Sequence, residues 1–276
     1  MNQAHIASIP AGGGAPLLLI AGPCVVEDRE MLLRTAAHVA EVAARLGMPA
    51  VFKSSFEKAN RTSIDAFTGL GRDEALRLLD EARTESGLPI VTDVHTEEDV
   101  HAAAAVADML QIPAFLSRQT HLLLVAGQSG KAVNIKKGQF MAPDDMRHAA
   151  DKVRSTGNEN ILLCERGTSF GYHDLVVDMR GLVIMRSLGY PVVMDATHAV
   201  QIPAQGGSSA GRPEYILPLA SAAAAVGIDA LFLEVHPDPP RAKSDAGSQL
   251  RMDALELLLT RVLAIDTVLR SSPINM

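Results

Sequence analysis

The repeating unit of this chain is clearest in Pro49-Ala-Val-Phe-Lys-Ser-Ser-Phe-Glu-Lys-Ala-Asn-Arg-Thr-Ser63, where a short apolar run passes directly into a polar loop. The apolar residues 49–52 predict a short buried strand. The loop carries three cations, Lys53, Lys58 and Arg61, which offer a planar fork and mobile point charges to an anion. The stretch therefore predicts a strand that delivers an anion-binding loop, with an ordinary solvated basic loop as the alternative.

The same unit recurs along the chain, because each apolar run is followed by a loop and an amphipathic segment. Strands are predicted at residues 17–20, 50–53, 89–94, 109–112, 132–135, 161–164, 191–195 and 230–234. Helices are predicted at residues 28–46, 72–86, 117–128, 144–155, 175–188, 213–226 and 250–270, with one more that begins after a cap at Thr96.

Continuous alternation of strands and helices is typical of a parallel sheet, and eight such units predict a closed (β/α)8 TIM barrel. The main structural alternative is an open, doubly wound sheet. No Gly-x-Gly-x-x-Gly run follows the first strand, which argues against a dinucleotide-binding sheet of that kind.

The domain organisation that follows is a single barrel domain over residues 17–276 with a short N-terminal extension over residues 1–16. The run Ala11-Gly-Gly-Gly-Ala15 predicts a flexible lead-in. The chain has 276 residues, 47% of them hydrophobic and none of them Trp, so the core is expected to consist of Val, Leu, Ile and Ala.

Charge and cysteine content narrow the function classes. The net charge of -7 argues against a nucleic-acid partner and makes any cationic site a local arrangement. Two cysteines do not make a disulfide framework, which favours a reducing compartment. With no secretory signal and no apolar run of membrane-spanning length, we expect a cytoplasmic protein that does not associate with membranes.

Polar residues cluster at the carboxyl ends of the predicted strands. Barrel enzymes build their active sites at this rim, so the clustering predicts an enzyme site there. The residues concerned are Cys24, Lys53, Asp93, His95, Gln111, Lys136, Arg166, Asp195, His198, Glu234 and His236.

Barrel closure would also bring four metal-type ligands together, because strands seven, eight and one become neighbours. His198, Glu234 and Cys24 follow or end these strands, and Asp245 lies in the loop after strand eight. Thiolate, imidazole and carboxylate ligands suit Zn, Fe or Mn. Each residue also has a structural alternative: Cys24 as a small buried residue, His198 as a structural histidine and Asp245 as a turn residue. Cys164 is expected in the core, and His236 is expected to support a turn.

Strands four to six are expected to supply an anion clamp. Lys136 and Arg166 end adjacent strands five and six. Gln111 and the backbone of residues 113–115 lie beside them and offer amide donors to a phosphate. Surface salt bridging is the alternative for the two cations.

Short motifs spread over the chain from Leu17 onward match one known family. They are Ala21-Gly-Pro-Cys24, the run of residues 53–63, Thr92-Asp-Val-His95, Gln111-Ile-Pro-Ala-Phe-Leu116, Asn134-Ile-Lys-Lys137, Arg166-Gly167, Phe170-Gly-Tyr172, Asp195-Ala-Thr-His198 and Glu234-Val-His-Pro-Asp-Pro239. With them the chain resembles the 3-deoxy-D-manno-octulosonate 8-phosphate synthases, also named 2-dehydro-3-deoxyphosphooctonate aldolases. Cys24 after Gly-Pro and the run Ser244-Asp-Ala246 resemble the metal-dependent branch of that family.

The resemblance implies a transferase that condenses phosphoenolpyruvate with D-arabinose 5-phosphate and water during lipopolysaccharide biosynthesis. It implies that phosphoenolpyruvate is held by Lys53, Lys136, Arg166 and the backbone of Ala114 and Phe115, and that the pentose is held by Lys58, Asn60, Arg61 and Ser63. Asp93, His95 and Gln111 would line the reaction site, and Gln201 would contact substrate.

Two further implications concern the metal and the assembly. A divalent metal, Zn, Fe or Mn, is implied at Cys24, His198, Glu234 and Asp245, which makes His198 and Asp245 catalytic. In the family, an Arg in the position of Arg118 reaches the pentose phosphate of a neighbouring subunit, which implies a homotetramer.

Lys58 is expected to lie nearest the reacting aldehyde oxygen. We expect it to act as a proton donor if neighbouring cations lower its pKa.

Three other functions stay open on the sequence. A 3-deoxy-D-arabino-heptulosonate 7-phosphate synthase would use erythrose 4-phosphate. Enzymes of that family carry a Lys-Pro-Arg-type run at this position, whereas this chain has Lys58-Ala-Asn-Arg61. A Schiff-base aldolase would use one rim lysine, but strand six leads into Arg166 rather than a lysine. A barrel without catalytic activity could bind a phosphorylated ligand.

Overall fold

A closed parallel barrel forms the centre of the protein. The computed structural model describes residues 2–61, 63–172, 174–202 and 210–271, and within them eight parallel strands close on themselves. The strands are β1 (Leu18–Gly22), β2 (Ala50–Lys53), β3 (Ile90–Asp93), β4 (Met109–Ile112), β5 (Ala132–Lys136), β6 (Ile161–Glu165), β7 (Val192–Asp195) and β8 (Ala230–His236). Strand β8 pairs with both β7 and β1, which closes the barrel. The predicted (β/α)8 barrel is confirmed, and the open-sheet alternative is wrong.

Eight α-helices of the described chain surround the strands. They are α1 (Arg29–Leu46), α2 (Arg72–Ser86), α3 (Glu97–Ala104), α4 (Thr120–Gln128), α5 (Met146–Arg154), α6 (Met179–Ser187), α7 (Ile216–Val226) and α8 (Leu255–Ser271). Helix α3 begins at the predicted cap, where the Thr96 side chain accepts from the backbone N–H of Asp99 in a capping box. Helix α1 ends at Gly47, which takes the left-handed conformation that glycine adopts without strain.

Four helices, α4, α6, α7 and α8, begin three or more residues later than predicted, because the chain forms other short structure after the preceding strand; the 3-10 turn Pro213–Tyr215 precedes α7. A 3-10 turn, Ala114–Leu116, precedes α4. The strand Asp174–Val176 pairs with Thr168–Gly171 as a hairpin before α6. Before α8, Leu250–Arg251 pairs with the end of β8.

The N-terminal extension contains a hairpin rather than only a flexible lead-in. Ala4–Ile6 pairs with Ile9–Ala11, and Ile6 is fully buried in the cluster of side chains that fills the barrel interior. The backbone N–H of His5 donates to Asn160 Oδ1, just before β6. The hairpin therefore closes the amino end of the barrel, while the carboxyl end is left for the loops.

The described residues form two hydrophobic cores. Alternate strand residues such as Leu18 and Ile20 point into the barrel, while Leu19 and Ala21 pack against the helices. None of the helices that the structure describes combines the length and apolar character needed to cross a bilayer.

Candidate active site

A cleft of about 390 Å³ opens at the carboxyl ends of the strands. Parallel strands end at the same edge of a barrel, so loops that are distant in sequence meet there. Most of the residues predicted for the site line this cleft: Lys58, Asn60, Arg61, Asp93, His95, Ala114, Phe115, Lys136, Arg166, His198, Gln201 and Asp245.

Two lysines and two carboxylates interlock at the floor of the cleft. Lys53 is fully buried, and its Nζ donates to Glu234 Oε1 at 2.8 Å. Lys58 Nζ lies 3.7 Å from Asp93 Oδ2 and 3.8 Å from Glu234 Oε1. Lys53 is not among the described residues that line the cleft, so it lies beneath the cleft.

These contacts fix the charge state of the floor. Burial raises the pKa of the Asp93 carboxyl, but Lys53 and Lys58 outweigh burial and hold this pKa well below its usual value. Burial likewise opposes the charge of Glu234, but His198 and Lys53 hold its pKa well below the usual value. Both groups are therefore carboxylates at neutral pH.

The expectation that cations lower the pKa of Lys58 is wrong for the ligand-free protein. Burial acts to lower this pKa, but the carboxylates of Glu234, Asp93 and Asp245 outweigh it and raise the pKa above its usual value. Lys58 is therefore an ammonium at neutral pH. The reason is spatial: barrel closure places the carboxylates of Asp93 on β3 and Glu234 on β8 within 4 Å of Lys58 Nζ.

Polar side chains beneath the cleft hold Asp93. Ser55 Oγ and Gln111 Nε2 donate to its two carboxylate oxygens. Asn134 Nδ2 donates in turn to Gln111 Oε1 at 2.8 Å. Gln111 is itself buried, so within the described structure it acts as a support of Asp93 rather than as part of the cleft wall.

A second charged cluster forms around Asp195, at the end of β7. Lys136 Nζ donates to Asp195 Oδ2 at 2.7 Å, and His198 Nδ1 lies 2.7 Å from the same oxygen. Burial raises the pKa of Asp195, but His198 and Lys136 outweigh it and hold this pKa well below the usual value. The sequence predicts that Asp195 ends a strand but assigns it no function. In the structure its carboxylate contacts both Lys136 and His198 and so fixes their positions.

Arg166 lines the same side of the cleft as Lys136. Its Nη2 donates to Gln201 Oε1 at 2.8 Å, while Nη1 is buried and has no hydrogen-bond partner among the described residues. Burial lowers the pKa of Arg166, but a guanidinium stays charged in proteins. A buried donor without a partner is costly, which indicates that Nη1 is kept for a ligand.

Side chains of the types that bind metal ions lie close together near the carboxyl end of β8. The sulfur of Cys24 and one carboxylate oxygen each of Glu234 and Asp245 lie within 4.8 Å of one another. His198 Nε2 lies 3.6 Å from Glu234 Oε1 and 3.9 Å from Asp245 Oδ2. Glu234 Oε2 is buried and makes no hydrogen bond within the described chain.

The sulfur of Cys24 and the carboxylates of Glu234 and Asp245 therefore form a ligand set that suits a divalent cation, and His198 lies beside the two carboxylates. Burial, together with Glu234 and Asp245, raises the pKa of the Cys24 thiol well above its usual value, so the thiol stays protonated until a cation replaces the proton. The Sγ of Cys24 also lies 2.9 Å from Ser244 Oγ, a contact that the sequence did not predict.

Besides Lys53 and Gln111, which lie beneath the cleft, the predicted substrate residues Ser63 and Arg118 do not line it in the described structure. Ser63 Oγ accepts from the backbone N–H of Asp65 at 3.3 Å, which is a turn contact. Arg118 is exposed, and its carbonyl accepts from Lys152 Nζ at 3.0 Å. Its expected contact with a neighbouring subunit stays a prediction. The structural assignments of the sequence analysis are confirmed for Cys164, which is fully buried in the barrel interior, and for His236, whose Nδ1 accepts from Asp238 N–H.

Known proteins match this chain over nearly its full length. The model of the DAHP synthetase I family matches residues 2–270. The 2-dehydro-3-deoxyphosphooctonate aldolase of Syntrophotalea carbinolica is 55% identical over 268 residues, 97% of each chain. The protein of the same name from Trichlorobacter lovleyi is 54% identical over 98% of this chain and 99% of its own. The protein of the same name from Francisella tularensis subsp. holarctica is 50% identical over 97% of this chain and 98% of its own.

The chain belongs to the 2-dehydro-3-deoxyphosphooctonate aldolase group of the DAHP synthetase I family. The resemblance drawn from the short motifs is thereby confirmed. The chain is an enzyme of this aldolase group, and its cleft contains further polar residues that no motif indicated.

The most informative of these further residues are Gln139 and Lys243. Gln139 lines the cleft, and its Oε1 is buried without a hydrogen-bond partner in the part of the chain described. Lys243 also lines the cleft, and its Nζ is 4.7 Å from the centre of the Phe67 ring. Neither residue ends a strand, so the rim pattern in the sequence could not reveal them.

The Asp195 cluster predicts how stability depends on pH. Because the folded pKa of Asp195 is depressed, its charge stabilises the fold above the unfolded pKa of about 4, and this contribution is lost as pH falls below that value. Asp195→Asn leaves Lys136 buried without its partner and should cost about 3–5 kcal/mol of unfolding free energy at pH 7. In urea unfolding at pH 7, 5, 4 and 3, we expect the gap between wild type and variant to narrow below pH 4.

The matched control is Asp73→Asn, because the Asp73 side chain is 97% exposed. It should stay within about 0.5 kcal/mol of wild type at each pH. A gap for Asp195→Asn that is constant from pH 7 to pH 3 would contradict the charge assignment.

Proposed function

We propose that this protein condenses phosphoenolpyruvate with D-arabinose 5-phosphate and water, and releases 3-deoxy-D-manno-octulosonate 8-phosphate and inorganic phosphate for lipopolysaccharide biosynthesis. The relatives' name, 2-dehydro-3-deoxyphosphooctonate aldolase, supports this reaction. The observation that carries the proposal is one cleft that contains two sets of cations, Lys136 with Arg166 and Lys58 with Arg61, together with metal-type ligands.

The first set of cations fits phosphoenolpyruvate. Lys136 and Arg166 lie on neighbouring strand ends and offer an ammonium and the unpartnered Nη1 of a guanidinium. Ala114 and Phe115 open a 3-10 turn, where the first backbone N–H groups have no partner inside the turn. Together these donors suit a compact ligand with both a carboxylate and a phosphate.

The second set fits the aldose phosphate. Lys58, Asn60 and Arg61 follow β2 and line the cleft. Arg61 is anchored by a hydrogen bond from Nε to the Phe67 carbonyl at 2.8 Å, while Nη2 is buried without a partner among the residues described. Lys53 supports this side from below through Glu234.

The reaction needs both anions to be held in attack geometry. Carbon 3 of phosphoenolpyruvate attacks the aldehyde carbon, and the aldehyde oxygen takes up a proton and becomes a hydroxyl. Water adds at carbon 2, and phosphate leaves with cleavage of its carbon–oxygen bond. Orientation of two bound reactants supplies up to about 7–11 kcal/mol of the barrier in favourable cases.

Lys58 is placed to stabilise the charge that develops on the aldehyde oxygen. In the ligand-free protein its pKa is raised, which keeps it an ammonium. An ammonium that holds its proton firmly favours hydrogen bonding and electrostatic stabilisation of the aldehyde oxygen over full proton transfer to it. Asp93 lies 3.7 Å from Lys58 Nζ and orients it. His95 lines the same region, and its Nδ1 lies 3.8 Å from Asp99 Oδ2.

We further propose a resident Zn, Fe or Mn ion held by Cys24, His198, Glu234 and Asp245. When bound, such an ion supplies Lewis-acid polarisation of the aldehyde or orientation of water. Asp195 contacts His198 Nδ1 and so leaves Nε2 directed toward Glu234 and Asp245.

The assembly and location belong to the same proposal. We propose a homotetramer in which the exposed Arg118 reaches the pentose phosphate in a neighbouring subunit's cleft. Cytoplasmic location is supported by two free, buried cysteines, Cys24 and Cys164, which suit a reducing compartment.

An aldose panel tests the reaction directly. Purified protein is mixed with phosphoenolpyruvate and either arabinose 5-phosphate or erythrose 4-phosphate, and inorganic phosphate is measured. We expect release with arabinose 5-phosphate and at most trace release with erythrose 4-phosphate or without aldose. Release only with erythrose 4-phosphate would assign the protein to the seven-carbon sugar synthases, and a borohydride-trapped adduct with pyruvate would support a Schiff-base aldolase.

Lys58→Met tests the role of the ammonium. Loss of a donor directed at developing charge should lower kcat by about 10²–10³-fold. Lys131→Met is the control, because Lys131 precedes β5 at the amino end of the barrel, and it should leave kcat unchanged. A Lys58→Met variant with wild-type kcat and only a raised KM would contradict the role.

The two buried cysteines allow a matched test of the metal site. Cys24→Ala removes one metal ligand, whereas Cys164→Ala alters the barrel interior away from Glu234 and Asp245. Since loss of an outer-shell partner alone costs about 10–100-fold in metal affinity, loss of Cys24 should cost at least as much. Metal content after dialysis, measured by elemental analysis, should fall in Cys24→Ala and stay at the wild-type level in Cys164→Ala. Equal metal content in both variants would contradict the assignment.

A further inference from the structure

A buried ion pair lies behind the wall of the cleft that carries Arg166. Lys137 is fully buried, and its Nζ lies 3.4 Å from Glu165 Oε1. As far as the structure describes the lining of the cleft, neither residue belongs to it. The pair therefore lies behind the cleft lining rather than within it.

Glu165 organises the turn from which Arg166 projects. Its Oε1 accepts the backbone N–H of Arg166 at 3.0 Å and of Gly167 at 2.7 Å. Gly167 takes a positive φ of 93°, so the chain turns sharply around this carboxylate. The position of the Arg166 backbone thus depends on where Glu165 is held.

Lys137 connects that turn to the neighbouring loop. Its Nζ donates to Thr168 Oγ1 at 2.9 Å on one side and lies 3.5 Å from the Met141 carbonyl on the other. The backbone N–H of Ser169 donates to the Gln139 carbonyl at 2.9 Å and ties the same two loops. One ammonium therefore fixes the loop after β5 and the loop after β6 relative to each other.

These two loops present polar atoms to the cleft that lack a partner within the described chain: Nη1 of Arg166 and Oε1 of Gln139. We propose that Lys137 and Glu165 are positioning residues that hold the anion site of Lys136 and Arg166 in its binding geometry. The identity of the anion as phosphoenolpyruvate rests on the proposed function, but the positioning role holds for any small phosphorylated anion bound there.

Stabilisation of the fold alone does not explain why Lys137 and Glu165 are buried as an ion pair. Burying two charges costs solvation, and a well-packed apolar pair is often as stable or more so. What the pair adds is a fixed position for groups that must meet a ligand within fractions of an ångström.

Two single variants separate positioning from electrostatic attraction. Lys137→Met removes a positive charge near the anion site, and Glu165→Gln removes a negative charge but keeps an oxygen acceptor. If only charge mattered, Lys137→Met would raise KM for phosphoenolpyruvate and Glu165→Gln would lower it. The positioning role predicts that both variants raise this KM, on the order of 10- to 100-fold, with KM for the aldose phosphate within about twofold of wild type.

The matched control is another ion pair, at the amino end of the barrel. Arg186 Nη2 lies 3.1 Å from Asp229 Oδ2, which also accepts the backbone N–H of Val192 at 2.8 Å. Asp229→Asn should lower the thermal midpoint and leave both KM values unchanged. If Lys137→Met and Glu165→Gln behave like this control, or if Glu165→Gln lowers KM for phosphoenolpyruvate, the positioning role is wrong.

The test still distinguishes the two roles if Lys137→Met does not fold or if the wild-type protein shows no condensation activity. If Lys137→Met does not fold, Thr168→Val removes one hydrogen-bond acceptor of Lys137 while keeping the ion pair, and it should raise the same KM by a smaller factor. If wild-type protein shows no condensation activity, the proposed function fails, and calorimetric binding of phosphoenolpyruvate to wild type and to both charge variants then decides the positioning role. Weaker binding to both variants supports it, and unchanged binding overturns it.

Discussion

The contact between Lys53 and Glu234 underlies the active site of this barrel. It joins β2 to β8 across β1, with both side chains buried and 2.8 Å between Nζ and Oε1. An isolated charge in this place would be strongly unfavourable, so each group requires the other. The pair also fixes Glu234 so that its second oxygen stays free of protein hydrogen bonds, as far as the described residues show.

The same principle extends around the rim. Lys58 is balanced by Asp93 and Glu234, and Lys136 is balanced by Asp195. The pKa of Asp93 is held down by Lys53 and Lys58, and those of Glu234 and Asp195 are held down by His198 together with lysines. The pKa of Lys58 is raised by the carboxylates. The barrel thus holds a preorganised set of fixed charges, which is what the condensation of two phosphorylated anions requires.

Much of this arrangement could be predicted from the sequence, because the barrel rule places every strand end at one rim. That rule predicts that Cys24, His198 and Glu234 lie at one side of the rim, with Asp245 folding back from the loop after β8, and in the structure ligand atoms of Cys24, Glu234 and Asp245 lie within 4.8 Å of one another. It could not give the sign of the pKa shift of Lys58, since that depends on which side chains are nearest in space. It also missed the hairpin of residues 4–11 and the late start of α6, because both depend on pairing with distant backbone. Gln139 and Glu165 carry no motif, and their importance is visible only in what they contact.

We propose that phosphoenolpyruvate binds to Lys136 and Arg166 at the carboxyl end of the barrel. A crystal structure of the protein grown with phosphoenolpyruvate and no aldose would test this binding site. We expect anionic oxygens of the ligand at hydrogen-bond distance, about 2.7–3.2 Å, from Lys136 Nζ and from Nη1 of Arg166. Ligand density elsewhere in the cleft, with Nη1 of Arg166 still without a partner, would contradict it.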